Sequence, residues 1–238
     1  MHALRIEGLA AGYDGTEVLH GLDLHLEAGE SLCLIGPNGA GKSTVLNAIF
    51  GFADITGGRI FAYGRDVTHL RPEAKLRNAG IAYVLQDSSV FPDLSVEHNL
   101  RLGAYLMRSA SEASQAVERI FKLHPLLAER RAQPARVLSG GERRLLEILR
   151  ALMMNPKLLL LDEPTIGLEP RFVDMIFTLL GELQRQEGKA VMLVEQNARK
   201  GLRFADAGCV LVAGQRAIAG SGAELLEDPR VAALFLGD

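Results

Sequence analysis

The chain has no tryptophan, few aromatics (5%) and only two cysteines. No stretch approaches the ~20 consecutive apolar residues needed to cross a bilayer, and the amino terminus lacks the basic-then-apolar order of a secretory signal. Cys33 and Cys209 both lie in apolar, strand-like runs, which reads as buried packing rather than a disulfide or a metal site. The six histidines show no ligand spacing, so no transition metal is assigned. A formal net charge of −3 offers no broad attraction for nucleic acid or anionic lipid. The expectation is a cytosolic protein that does not bind nucleic acid. What the chain has in plenty is aliphatic character: hydrophobic residues make up 48% of its 238 positions, enough for one sizeable α/β core.

The densest local signal is Gly36-Pro37-Asn38-Gly39-Ala40-Gly41-Lys42-Ser43-Thr44. It follows the apolar run Leu32 to Ile35 and leads into the helix-like Val45 to Phe50, the strand–loop–helix setting of a phosphate-binding loop. The glycines let the backbone wrap closely and aim amide N–H groups inward, and the helix that follows adds the positive end of its dipole. Lys42 can then reach the β- and γ-phosphates, and Ser43 can ligate Mg²⁺. These residues predict binding of a nucleoside triphosphate. The chain is too short for two complete ATPase domains.

A second site supplies carboxylates. Leu158 to Leu161 reads as a buried parallel strand, which delivers Asp162 and Glu163 to the carboxyl edge of the sheet beside the loop. Asp162 is expected to hold Mg²⁺, and Glu163 to polarise the attacking water. A third element, Leu138-Ser139-Gly140-Gly141-Glu142, precedes an apolar-periodic helix with Leu145, Leu146, Ile148, Leu149 and Leu152. Ser139 and the two glycines form a helix N-terminus able to receive an anion, although an ordinary helix cap explains the same residues.

This order of motifs resembles the ATP-binding cassette (ABC) ATPases over essentially the whole chain. The resemblance implies that the Ser139-Gly140-Gly141 loop faces the γ-phosphate held by a second subunit, with two ATP molecules sandwiched between two subunits. It also implies that Tyr13 stacks on adenine, that Gln86 contacts Mg²⁺ and the water, and that Gly167-Leu168-Glu169-Pro170 crosses the dimer interface, with Glu169 where aspartate is usual. At Val194-Glu195-Gln196-Asn197 most of the family has histidine where Gln196 stands. Glu-Gln-Asn after an apolar strand is similar to the second ATPase subunit of importers for branched-chain amino acids and related amides and urea, as is the closing segment from Glu224 through Leu236-Gly237. Ser139 to Arg144 together with Glu147 also resembles the ATPase of the lipopolysaccharide exporter. The Glu-Gln-Asn carries more weight because it lies at a site of chemistry, whereas Arg143 and Arg144 read as a solvated helix face.

The expected fold is α/β: a P-loop NTPase core with a mixed central sheet, N-terminal antiparallel strands over residues 4 to 28, and an inserted helical lobe. Residues 1–86 and 153–238 would form the nucleotide-binding core and residues 87–152 the lobe carrying the Ser-Gly-Gly loop, in a single domain. The resemblance implies ATP and Mg²⁺ as ligands, transmembrane permease subunits and a second ATPase subunit as direct partners, and a substrate-binding protein as an indirect one. It places the chain on the cytoplasmic face of the cell membrane, with Asp87 to Asn99 against the permease. A soluble, non-transport ABC ATPase and a small nucleotide kinase are the readings from other classes. The Ser-Gly-Gly loop and the Asp162-Glu163 pair argue against the kinase.

Overall fold

The computed structural model describes residues 1–86 and 89–233. In chain order its elements are β1 (His2–Tyr13), β2 (Thr16–Glu27), β3 (Ser31–Ile35), α1 (Lys42–Phe50), β4 (Asp54–Ala62), β5 (Arg65–Asp66), α2 (Pro72–Ala79), β6 (Ile81–Val84), α3 (Val96–Gly103), α4 (Ala110–Leu123), α5 (Pro125–Ala128), α6 (Gly140–Leu152), β7 (Leu158–Asp162), α7 (Pro170–Glu187), β8 (Ala190–Val194), α8 (Ala198–Phe204), β9 (Ala207–Val212), β10 (Gln215–Ser221), α9 (Gly222–Glu227) and α10 (Pro229–Val231).

Alternation builds the first layer. Leu22, Leu24 and Leu26 of β2 point inward while Asp23 and His25 face water, giving the antiparallel sheet β2-β1-β4-β5. Its first hairpin closes at Asp14-Gly15, where both residues have positive φ (50° and 78°), the twist a two-residue turn between paired strands requires.

The second layer is the six-stranded sheet β10-β9-β3-β8-β7-β6. Strands β9, β3, β8, β7 and β6 run parallel, and β10 returns antiparallel through a turn at Ala213-Gly214. β3, β7 and β8 are buried on both faces, so they read as continuous apolar runs. The period of two divides them between two cores. Leu32, Leu34, Leu158 and Leu160 join the β1–β4 layer and α1, whereas Cys33, Ile35, Leu159 and Leu161 pack under α3, α4, α6 and α7. Helices α3, α4, α5 and α6 therefore share a core with one face of the sheet. Both cysteines are buried and free, and burial raises both thiol pKa values, that of Cys209 to about 12.

Register decides where the chemistry goes. Leu34 of β3 pairs with Val194 of β8, Val194 with Asp162 of β7, and Leu161 of β7 with Val84 of β6. The carboxyl ends of four strands are level, so the segments that follow them at Gly36, Gln86, Glu163 and Gln196 open onto one sheet edge.

Among the described residues, no helix is long and apolar enough to cross a membrane. The Leu236-Gly237 part of the closing segment lies outside the described residues.

Candidate functional site

The loop after β3 passes directly beneath the β9–β10 hairpin. A Cβ on Gly36 would lie 2.3 Å from the Leu211 carbonyl oxygen, so only glycine allows the approach. Gly41, at φ 96°, is the N-cap of α1 and carries no side chain to compete for the first amides of the helix. Lys42 is 7% exposed, and its Nζ donates to the carbonyls of Gly36 (2.9 Å) and Pro37 (3.0 Å), so the ammonium arches back over the loop. Burial lowers its pKa, opposed by the charges of Glu163 and Asp162.

Ser43 Oγ donates to Asp162 Oδ1 at 3.1 Å and Tyr83 donates its hydroxyl to Oδ2 at 3.2 Å. Burial raises the Asp162 pKa, while these two donors and the charges of Arg144 and Lys42 pull it down. Burial also raises that of Tyr83, with Asp162 adding to it, which keeps the phenol a donor. A serine hydroxyl beside a carboxylate is the hard oxygen set that suits Mg²⁺.

Glu163 adopts φ 43°, the left-handed region, where a non-glycine residue is strained by on the order of 1–3 kcal/mol. Its amide donates to Val194 O (2.9 Å), and its carboxylate accepts from Gln86 Nε2 at 3.1 Å. Burial raises its pKa first, and the neighbouring Asp162 charge raises it further. That brings the carboxylate closer to operating pH, which favours proton acceptance. The same open cleft is lined by Val18, Asn38, Gly39, Gly41, Lys42, Ser43, Thr44, Gln86, Glu163, Ile166 and Gln196. Gln86, Glu163 and Gln196, which follow three different strands, are thus brought together over the phosphate loop.

Other expected residues lie apart. Tyr13 is outside the cleft lining, although its hydroxyl accepts from Asn47 Nδ2 of α1 at 2.7 Å. Pro37 is exposed and Ala40 buried, and neither lines the cleft, whereas their neighbour Asn38 does. Ser139, Gly140 and Gly141 do not line the cleft either. Ser139 is the N-cap of α6 in a capping box: its Oγ accepts from the Glu142 amide (3.3 Å) and Glu142 Oε2 accepts from the Ser139 amide (2.8 Å). Gly141 is buried, with no room for a Cβ because the Phe172 ring would sit 2.0 Å away. Ser139 and Gly140 are exposed.

Residues 19–166 match the protein-family model of the ABC transporter. The chain belongs to the ABC transporter family. The cassette is 39% identical over 234 residues, covering 98% of this chain and 99% of the relative, to the high-affinity branched-chain amino acid transport ATP-binding protein BraG of Pseudomonas aeruginosa. It is 34% identical over 240 residues, covering 100% and 98%, to the lipopolysaccharide export system ATP-binding protein LptB of Escherichia coli. A crystal structure of an ABC transporter cassette in its ADP conformation superposes with a TM-score of 0.87 at 30% identity, covering all of both chains. A dimeric post-hydrolysis cassette bound to ADP and phosphate gives 0.81 at 25%, covering 92% of this chain and 98% of that one. The cassette is an ATP-hydrolysing, nucleotide-binding ABC ATPase.

Three residues carry more structure than their sequence context suggests. Arg143 is exposed, as a solvated face requires, but Arg144 is not on that face. It is buried and paired with buried Glu147 at 2.8 Å. The spacing Arg144–Glu147 and its place among Leu145, Ile148 and Leu149 were the available signals, since a charged pair within an apolar stripe has to be satisfied internally. Asn99 is also fully buried, accepting from the Phe91 amide (2.8 Å) and donating to the Phe91 carbonyl (3.0 Å). This holds Phe91, Pro92 and Leu94 outward, so the expected contact segment is exposed at these positions. Asp87, at its start, lies outside the described residues.

Glu195 is the third. It is 3% exposed, accepts from Thr165 Oγ1 at 2.8 Å and is pushed by burial to about 7. An acid whose folded pKa is raised stabilises the fold fully below its ordinary value of 4.5 and loses that contribution as pH climbs toward 7. The stability of the native protein relative to Glu195→Gln should therefore fall between pH 5 and pH 8, by on the order of 1–3 kcal/mol. Melting temperatures of both proteins across that range check it. A pH-independent difference contradicts a buried titrating Glu195.

Proposed function

We propose that this cassette energises import of branched-chain amino acids, or of related small amides or urea, by ATP-driven closure of two ATPase subunits on a transmembrane permease. The observation that carries the reading is the full-length 39% identity to BraG, joined to the Glu195-Gln196-Asn197 sequence after β8. The lipopolysaccharide-export reading rests on the lower 34% identity to LptB and on the Ser139 to Arg144 resemblance.

In the proposed cycle Lys42 and the backbone N–H groups of the Gly36 to Thr44 loop, Pro37 excepted, bind the phosphates, Tyr13 stacks on adenine, and Ser43, Gln86 and Asp162 would hold Mg²⁺. The ion would neutralise charge on the β- and γ-phosphates. Glu163 accepts a proton from the attacking water, and Gln196 donates an uncharged amide hydrogen bond to the γ-phosphate. Ser139, Gly140 and Gly141 of one subunit complete the site of the other, which accounts for their absence from their own chain's cleft. Exposed Phe91 and Leu94, with Tyr105 (80% exposed) and Leu102 beside a groove lined by Phe50, Leu76 and Ala151, would meet the permease at the cytoplasmic face of the membrane.

The test is reconstitution into vesicles with the transmembrane permease that copurifies with the cassette. Leucine-loaded binding protein should stimulate ATP hydrolysis and drive leucine uptake. Stimulation by lipopolysaccharide instead, or failure to copurify with any polytopic membrane protein, contradicts the reading.

A further inference from the structure

The buried guanidinium of Arg144 touches backbone on both sides of the proposed base. Its Nη2 donates to the carbonyl of Asp162 (2.8 Å) and its Nε to that of Pro164 (3.1 Å), the residues flanking Glu163. Its Nη1 donates to the carbonyl of Leu85 (2.6 Å), immediately ahead of Gln86, and to Glu147 Oε2 (2.8 Å). Glu147 Oε1 in turn accepts the Ser89 amide at 2.8 Å, and Arg150 holds the Ser89 carbonyl at 2.7 Å. One planar fork therefore fixes three carbonyls from two loops, a task an ammonium cannot reproduce. The positive φ of Glu163 persists only where its surroundings over-determine it, and the bonds at 162 and 164 are such determinants.

We propose that Arg144 is a positioning residue for ATP hydrolysis: it sets the backbone around Glu163 and ahead of Gln86, so that both side chains meet the water and the γ-phosphate in one fixed relation. The proposal rests on the reading of Glu163 as the base. Because Ser139 caps α6, the same clamp joins the loop that serves the opposite subunit's ATP to the carboxylate of its own site.

The test is a double-mutant cycle of Arg144→Lys with Glu163→Gln, followed by single-turnover hydrolysis of radiolabelled ATP. Arg144→Lys alone should lower kcat at least ~10-fold and change KM for ATP less than ~3-fold, because the group acts on the transition state and not on binding. On the Glu163→Gln background the further loss should shrink to under ~3-fold, since the base has already lost its function and only the positioning of Gln86 remains to be lost. Equal fold-losses in the two backgrounds, or a raised KM with unchanged kcat, overturn the proposal alone. A near-normal Glu163→Gln overturns the base assignment and the proposal with it. Should Arg144→Lys fail to fold, Glu147→Gln, which keeps the shape of the pair, goes through the same cycle: a loss confined to the Glu163 background supports the clamp, and equal losses in both backgrounds overturn it.

Discussion

Glu163→Gln should keep ATP affinity within about 3-fold of the native protein and slow turnover at least ~10²-fold, within the range for a positioned general base. The amide has the size of the carboxylate and can still meet Gln86, which donates to Glu163 at 3.1 Å. It cannot take a proton. In the proposed cycle binding rests on other groups, the Lys42 ammonium and the loop amides, and these are left in place. The γ-phosphate then stays uncleaved as the bridge between subunits, so an ATP-bound dimer should accumulate in gel filtration. Near-normal hydrolysis removes Glu163 from the role.

The motifs were legible because phosphate and metal chemistry restrict residue type and spacing together. Gly36 to Thr44 had to sit between a strand and a helix, and four leucines ahead of Asp162 could only be a strand buried on both faces. What escaped was long-range. Arg144 is on a helix whose period marks it merely as polar, and its partners at Leu85, Asp162 and Pro164 are up to 59 positions away in the chain. Glu195 reads as a strand-end acid, and only the approach of the Thr165 loop buries it. Ser139 shows the opposite case. The ordinary cap is real, and the capping residue is exposed all the same, so the cap does not withdraw it from a second subunit.

Ser139→Arg should abolish hydrolysis while leaving nucleotide binding to the isolated subunit mostly intact. Loss of the capping box costs about 1 kcal/mol, small against the ~5–15 kcal/mol that holds a domain folded. Ser139 is exposed and outside its own chain's cleft, so the new side chain blocks only the surface that meets another subunit's ATP. Equal loss of binding and hydrolysis puts Ser139 in its own chain's site instead.

The central claim is that each hydrolytic site is built from two subunits, with Lys42 supplied by one and Ser139 by the other. Mixing Ser139→Arg subunits with Lys42→Ala subunits tests it most directly, because the mixed dimer contains one intact pairing and neither pure dimer contains any. The account predicts that two inactive preparations recover roughly a quarter of the native ATPase rate on mixing, given free exchange within a two-fold symmetric dimer. A mixture no more active than its separate components contradicts it.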